Sequence, residues 1–174
     1  MNLLDFVTIV ENISQSVGEV QRLVSAFAYV LGLVLIFIAV MKYREMADKT
    51  GSSSHEKMFV PTAYLVSGAA LLFLPSALDV VSATTFGASN VLSYRSYNKN
   101  NILDAISMLV RTAGLIWFVR GCVLLAHASE PGVQHGPKGL TFLIAGIVAF
   151  NFEMTFSYLV WVMEKVSAYT MKYG

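Results

Sequence analysis

Nineteen consecutive residues from Leu23 to Met41 carry no charge, and Arg22 and Lys42 close the run at its ends. A hydrocarbon core about 30 Å thick takes roughly 20 apolar residues of helix, so this stretch predicts a membrane span. Three further windows follow. Met58 to Leu78 is uncharged up to Asp79, Met108 to Ala128 contains Arg111 and Arg120, and Leu140 to Met163 contains Glu153. Of 174 residues, 56% are hydrophobic and 13% charged, whereas soluble domains carry about 25% charged residues. The chain lacks the charge needed for a water-facing surface.

Residues ahead of the first window have a different pattern. Leu3, Phe6 or Val7, Val10, Ile13, Val17 and Val20 recur at helical spacing, with Asp5, Glu11, Asn12, Gln15 and Glu19 between them. This predicts an amphipathic helix lying on the membrane or on a partner subunit. The start of the chain has Asp5 and Glu11 where a cleaved signal peptide would be basic, so the first apolar helix is expected to stay in the mature protein.

The connections also differ. "KYREMADKTGSSSHEK" reads as a solvated loop, and "SEPGVQHGPKG" as a tight return rich in helix breakers. "TTFGASNVLSYRSYNKNN" reads as a longer polar loop outside the membrane. "YLVSGAALLFL" aligns with "FLIAGIVAFNF", matching Gly68 to Gly146, and Leu23-Val24 anchors the first span on Leu109-Val110. The expected fold is all-α: a polytopic membrane protein with four transmembrane helices arranged as two tandem parallel-repeat hairpins, preceded by the amphipathic N-terminal helix. Its expected divisions are 1–21 for that helix, 22–83 for the first hairpin, 84–107 for the polar loop, and 108–174 for the second hairpin and tail.

The charges inside the windows are the candidate functional residues. Arg120 has eight uncharged residues before it and nine after. A lone charge at the bilayer centre costs about 2.5–3.5 kcal/mol on insertion scales, so a partner is expected. Glu153 on the next helix is the acidic candidate and Asn151 a neutral one, which predicts an intramembrane polar network of Arg120, Asn151 and Glu153. The network either locks the hairpin, lines a polar path, or pairs with another subunit. Ala28 with Gly32, Gly68, Gly114 with Gly121, and Gly146 are candidate helix-packing positions, because small residues let backbones approach in lipid. Pro75 is expected to kink or end the second helix.

Other function classes find no foothold. A net charge of +1 gives no concentrated basic face for nucleic acid. One cysteine permits neither an intrachain disulfide nor a cysteine zinc site. His55, His127 and His135 are scattered, and no HExxH, GxSxG or phosphate loop occurs. Neither enzymatic activity nor a cofactor is expected. Basic residues nearly balance across the two sides; those around the first loop (Lys42, Arg44, Lys49, Lys57) favour cytoplasmic hairpin loops.

"RLVSAFAYVLGLVLIFIAVMKYRE", "AYLVSGAALLFLPSALDV", "FVRGCVLLAH" and "GPKGLTFLIAGIVAFN", in this order and spacing, resemble the IcmC/DotE and DotV inner-membrane proteins of Dot/Icm type IVB secretion systems. They are also similar to the TraQ counterpart of IncI-type conjugative plasmids. The similarity covers about residues 20 to 160, and the segment from Thr84 to Asn101 departs most from it. The resemblance implies a multi-pass subunit of the bacterial inner membrane. It would help form or scaffold a secretion or conjugation channel, associating with itself, with other small membrane subunits and with a DotA/TraY-like polytopic protein. Two other readings stay open: a four-helix transporter using Arg120 and Glu153 as coupling charges, and a pilin-like filament subunit.

Overall fold

The computed structural model describes residues 3–48, 54–87 and 102–173, with side chains from Ser16 to Asp48, Met58 to Thr85 and Ile106 to Met171. Its order is α1 (Leu3–Asp48), α2 (Ser54–Leu72), α3 (Leu74–Phe86), α4 (Ile102–Ala128), α5 (Gly136–Phe150) and α6 (Phe152–Tyr173). All regular structure among the described residues is helical. The segments Ser16–Asp48 and Ile106–Ala128 are each long and apolar enough to cross a membrane. Two more spans result only if α2 with α3, and α5 with α6, each count as one, and these pairs bend by 99° and 85°.

Three expectations change here. First, α1 is continuous from Leu3 to Asp48, so the amphipathic segment continues into the first span and the expected division at residue 21 is not a helix boundary. Its side chains before Ser16 lie outside the described residues. Second, the windows Met58–Leu78 and Leu140–Met163 are not straight helices, since breaks fall inside them at Phe73 and Asn151. Third, α3 runs to Phe86 and α4 starts at Ile102, which shortens the polar loop expected over 84–107; its residues 88–101, and 49–53 of the first hairpin loop, lie outside the described residues.

The two breaks share a backbone conformation but not a chemical cause. Phe73 has φ −102° and ψ 38°, and Asn151 has φ −95° and ψ 36°. Pro75 sits in the first turn of α3. Having no N–H, it cannot bond the carbonyl four residues back, and its ring crowds that carbonyl. At the second break no proline is involved. The Asn151 amide Nδ2 donates to the Ile147 carbonyl at 2.9 Å, the carbonyl that already accepts the Asn151 N–H at 3.1 Å. The side-chain bond adds to the backbone bond on the same oxygen, and the helix breaks at this residue.

Packing is tightest where glycines face each other. A Cβ placed on Gly32 would lie 2.8 Å from the Gly68 carbonyl oxygen, and one on Gly68 would lie 2.9 Å from that of Gly32. In α4 and α5 the same relation links Gly114 and Gly146, at 2.8 Å in each direction. Gly121 presses against Leu143 and Gly139 against Leu125. These contacts define an antiparallel register in which a step along α4 is matched by an equal step back along α5. Around the crossings Ala28, Leu35, Ala39, Tyr64, Leu71, Leu115, Phe118, Cys122, Ala126, Ile147 and Phe150 form one core joining α1, α2, α4 and α5.

Candidate functional site

The glycine register decides which charges meet. Glu153 lies seventeen residues beyond the start of α5 at Gly136, and Arg111 lies seventeen before the end of α4 at Ala128. They stand at one level, and Arg111 Nη2 is 3.2 Å from Glu153 Oε1. The expected pairing of Arg120 with Glu153 is therefore corrected. Arg120 stands about two and a half helical turns nearer the hairpin loop, out of reach of that carboxylate. Asn151 does not bridge the two either. It is buried, and its Nδ2 donates to the Ser82 hydroxyl at 2.8 Å, tying the second break to α3.

Arg111, Glu153, Asn151 and Ser82 thus gather near the second break, at the end of the bundle away from the hairpin loops. Arg111 Nε and Asp79 Oδ1, on α4 and α3, are buried without a hydrogen-bond partner. A cavity between the end of α3 and the start of α6 opens beside this group, lined by Thr85, Glu153, Met154, Ser157, Tyr158 and Trp161. Among the described residues no cluster of three or more His, Cys, Asp or Glu side chains could hold a metal ion.

Arg120 stands apart from this group. Its guanidinium carbon lies 4.6 Å from the centre of the Phe142 ring, a cation–π contact, and the residue is exposed on the outside of the helix bundle. Among the described residues no carboxylate reaches it. It lies eight residues before Ala128, about 12 Å of helix, within the segment Ile106–Ala128 that is long and apolar enough to cross a membrane.

At the hairpin-loop end a third polar group joins the two halves of the chain. Glu130 Oε1 accepts from Lys42 Nζ at 3.0 Å and from the Tyr64 hydroxyl at 2.7 Å. Lys42 lies over the Tyr64 ring, 5.1 Å from its centre, and the His127 ring is 5.8 Å from that of Tyr64. The Tyr64 and Lys42 hydrogen bonds hold the Glu130 carboxyl below the usual carboxylate range. By sequence, Lys42 and Glu130 fall in the connecting loops and Tyr64 and His127 inside the second and third apolar windows, with no link among them. One signal was present: Glu130 is the sole acidic residue between His127 and Glu153.

Of the candidate packing residues, Ala28 is fully buried, and Gly32, Gly68, Gly114, Gly121 and Gly146 all sit at close backbone approaches. No family model matches the chain, and no curated protein or solved structure matches it.

Proposed function

We propose that this chain is a non-enzymatic structural subunit of a multi-copy assembly in the bacterial inner membrane, working in a type IVB secretion or conjugative transfer apparatus. The observation that carries the assembly reading is Arg120: a guanidinium on the outer surface of the helix bundle, with an aromatic ring and no carboxylate beside it among the described residues. Facing lipid it would cost about 2.5–3.5 kcal/mol. A carboxylate or carbonyl cluster on an adjoining subunit removes that cost and fixes where the subunit docks. The type of machine rests on the sequence blocks given above.

The tandem-hairpin reading belongs to the same proposal. Gly32 against Gly68 and Gly114 against Gly146 make equivalent crossings, which pairs Gly32 with Gly114 about one helical turn away from the Leu23-Val24 and Leu109-Val110 anchor, and both α2 and α5 break five residues after the glycine with matching dihedrals. A gene-level doubling of one bent hairpin accounts for both.

The test is purification of the tagged chain in mild detergent, followed by native mass spectrometry and single-particle imaging, for wild type, Arg120→Ala and Arg120→Lys. A multi-subunit particle in wild type, retained in Arg120→Lys and lost in Arg120→Ala, is the expected result. A monomer or dimer indifferent to both changes would overturn the proposal.

A second reading has one observation in its favour. Broken helices with polar side chains at the break are how many transporters build substrate sites, and Arg111, Asn151 and Glu153 occupy that position here. It predicts flux in proteoliposomes that Glu153→Gln abolishes while assembly persists. The coupling charges would then be Arg111 and Glu153.

A further inference from the structure

α2 and α5 enter the bundle from the hairpin-loop end, and each reaches its break short of a full span. α2 runs nineteen residues from Ser54 to Leu72 and α5 fifteen from Gly136 to Phe150, about 28 Å and 22 Å of helix. The remaining thickness to the far boundary of a 30 Å core is about 2 Å for α2 and about 8 Å for α5. There the chain turns through 99° and 85°. A helix at right angles to a spanning helix has its axis in the membrane plane, and an in-plane amphipathic helix sits about 5–10 Å into the headgroup boundary. The α5 break lies at the depth such a helix needs, and the α2 break lies nearer the boundary still.

The second limbs carry the surface chemistry of that location. On α6, Phe156, Leu159, Met163 and Val166 recur at alternating spacings of three and four, which is one helix face. All four are between 55% and 71% exposed. Glu164 and Lys165 lie more than about 100° round the helix from that face. Trp161 stacks on Tyr158 with ring centres 5.7 Å apart, and Lys165 Nζ lies 5.8 Å from the Trp161 ring centre. Rings of this kind, part apolar and part polar, suit the headgroup zone. On α3, Leu74, Leu78 and Ser82 are buried against the spanning helices, and Ser82 ties that limb to the level of the second break.

We propose that α3 and α6 are boundary helices: each bent pair sends only its first limb across the bilayer, and α6 docks on the lipid surface through Phe156, Leu159, Met163 and Val166. Each hairpin then ends in an in-plane arm on the side opposite its loop. The Arg111–Glu153 pair and the Asn151–Ser82 hydrogen bond become boundary features, not mid-membrane ones. The inference requires a membrane-embedded chain and holds whatever that chain assembles with.

Nitroxide depth profiling of the full chain tests this in vesicles of phosphatidylethanolamine and phosphatidylglycerol. Single labels are placed by Phe156→Cys, Ser157→Cys, Leu159→Cys, Met163→Cys, Glu164→Cys and Val166→Cys, in a Cys122→Ala background. Collision rates with oxygen and with a water-soluble nickel chelate report depth. The expected profile is periodic: sites 156, 159, 163 and 166 share one depth, and sites 157 and 164 lie nearer water by up to about 10 Å, the width of a helix. A steady trend of about 15 Å from 156 to 166, at 1.5 Å per residue, would mean that α6 spans, and would overturn the proposal. So would low accessibility to both reagents on the apolar face, which marks burial against protein. If the Cys122→Ala background does not fold, the Trp117→Phe chain leaves Trp161 as its single tryptophan. Brominated lipids then quench Trp161 most strongly when the bromine lies near the headgroup; strongest quenching from the acyl-chain end refutes the assignment.

Discussion

Replacing Gly146 by alanine isolates what the close crossing contributes. The added methyl would sit 2.6 Å from the Phe118 backbone nitrogen and 2.8 Å from the Gly114 carbonyl oxygen. Ordinary carbon contacts lie near 3.5–4.0 Å, so α4 and α5 must part by about 1 Å. The obstructing atoms are backbone and cannot rotate away. A gap of 0.5–1 Å forfeits about a quarter to a half of each dispersion contact across it, and Leu115, Phe118, Ile147 and Phe150 all lie beside this crossing. Overpacking of this kind costs about 1–3 kcal/mol, and we place Gly146→Ala at about 3 kcal/mol, the upper end of that range.

Gly114→Ala meets the same obstruction from the other side, with Phe150 N at 2.6 Å, and should cost as much. The two losses share one gap. Once the helices have parted for the first methyl, the second finds room, so the double variant should fall well short of the sum of the singles. Gly136→Ala is the control, because its methyl would meet only Ala128 Cβ at 3.9 Å. Denaturant unfolding in micelles, followed by circular dichroism, reads all four variants. If Gly146→Ala is as mild as Gly136→Ala, or if the Gly114 and Gly146 losses add in full, the steric account is wrong.

Three more outcomes follow from the polar groups. Asn151→Ala leaves the fully buried Ser82 hydroxyl without its donor, which should cost about 1–3 kcal/mol in the same unfolding assay; a neutral result would show that the hydrogen bond is dispensable. Arg111→Glu and Glu153→Arg should each lower the yield of folded protein, while the double exchange restores part of it; no restoration would mean the 3.2 Å pair is not what holds α4 to α6. Glu130 gives a pH dependence with a definite sign. Its folded carboxyl titrates below the ordinary value, so its contribution is complete above that value, about 4.3 for glutamate, and is lost as pH falls through the lower folded value. Wild type should therefore be more stable than Glu130→Gln at neutral pH and converge on it once pH has fallen past the lowered folded value; a gap that persists in strong acid would refute the assignment.

Much of the helical content and the apolar windows of span length were legible because both depend on local properties. An apolar window of span length and a solvated loop are recognisable without knowing what they touch. The glycines could be read for the same reason, since a missing side chain is informative wherever helices approach. The Arg120–Glu153 pairing failed on a count. It assumes that window edges are helix ends, but α5 starts at Gly136, four residues ahead of Leu140. Hydropathy cannot detect that turn, because Gly136, Pro137 and Lys138 are helical without being apolar. The break at Asn151 was hidden for a related reason: no proline marks it, and one asparagine in a run of apolar residues is compatible with an unbroken helix until its amide turns on the Ile147 carbonyl.

By itself, then, the sequence determined a helical chain with windows apolar enough to cross a membrane, small residues where backbones meet, and two cations in the third window. The tertiary structure decided what those charges do. Side chains pair according to helix register, and register is a non-local quantity set here by glycines closing on glycines, Gly32 on Gly68 and Gly114 on Gly146. That register hands Glu153 to Arg111, brings Glu130 to Lys42 and Tyr64 across the halves of the chain, and leaves Arg120 facing outward. The direction of the chain after each break was likewise decided in three dimensions, because one pair of backbone angles at Phe73 or Asn151 redirects a whole helix and no composition window registers it.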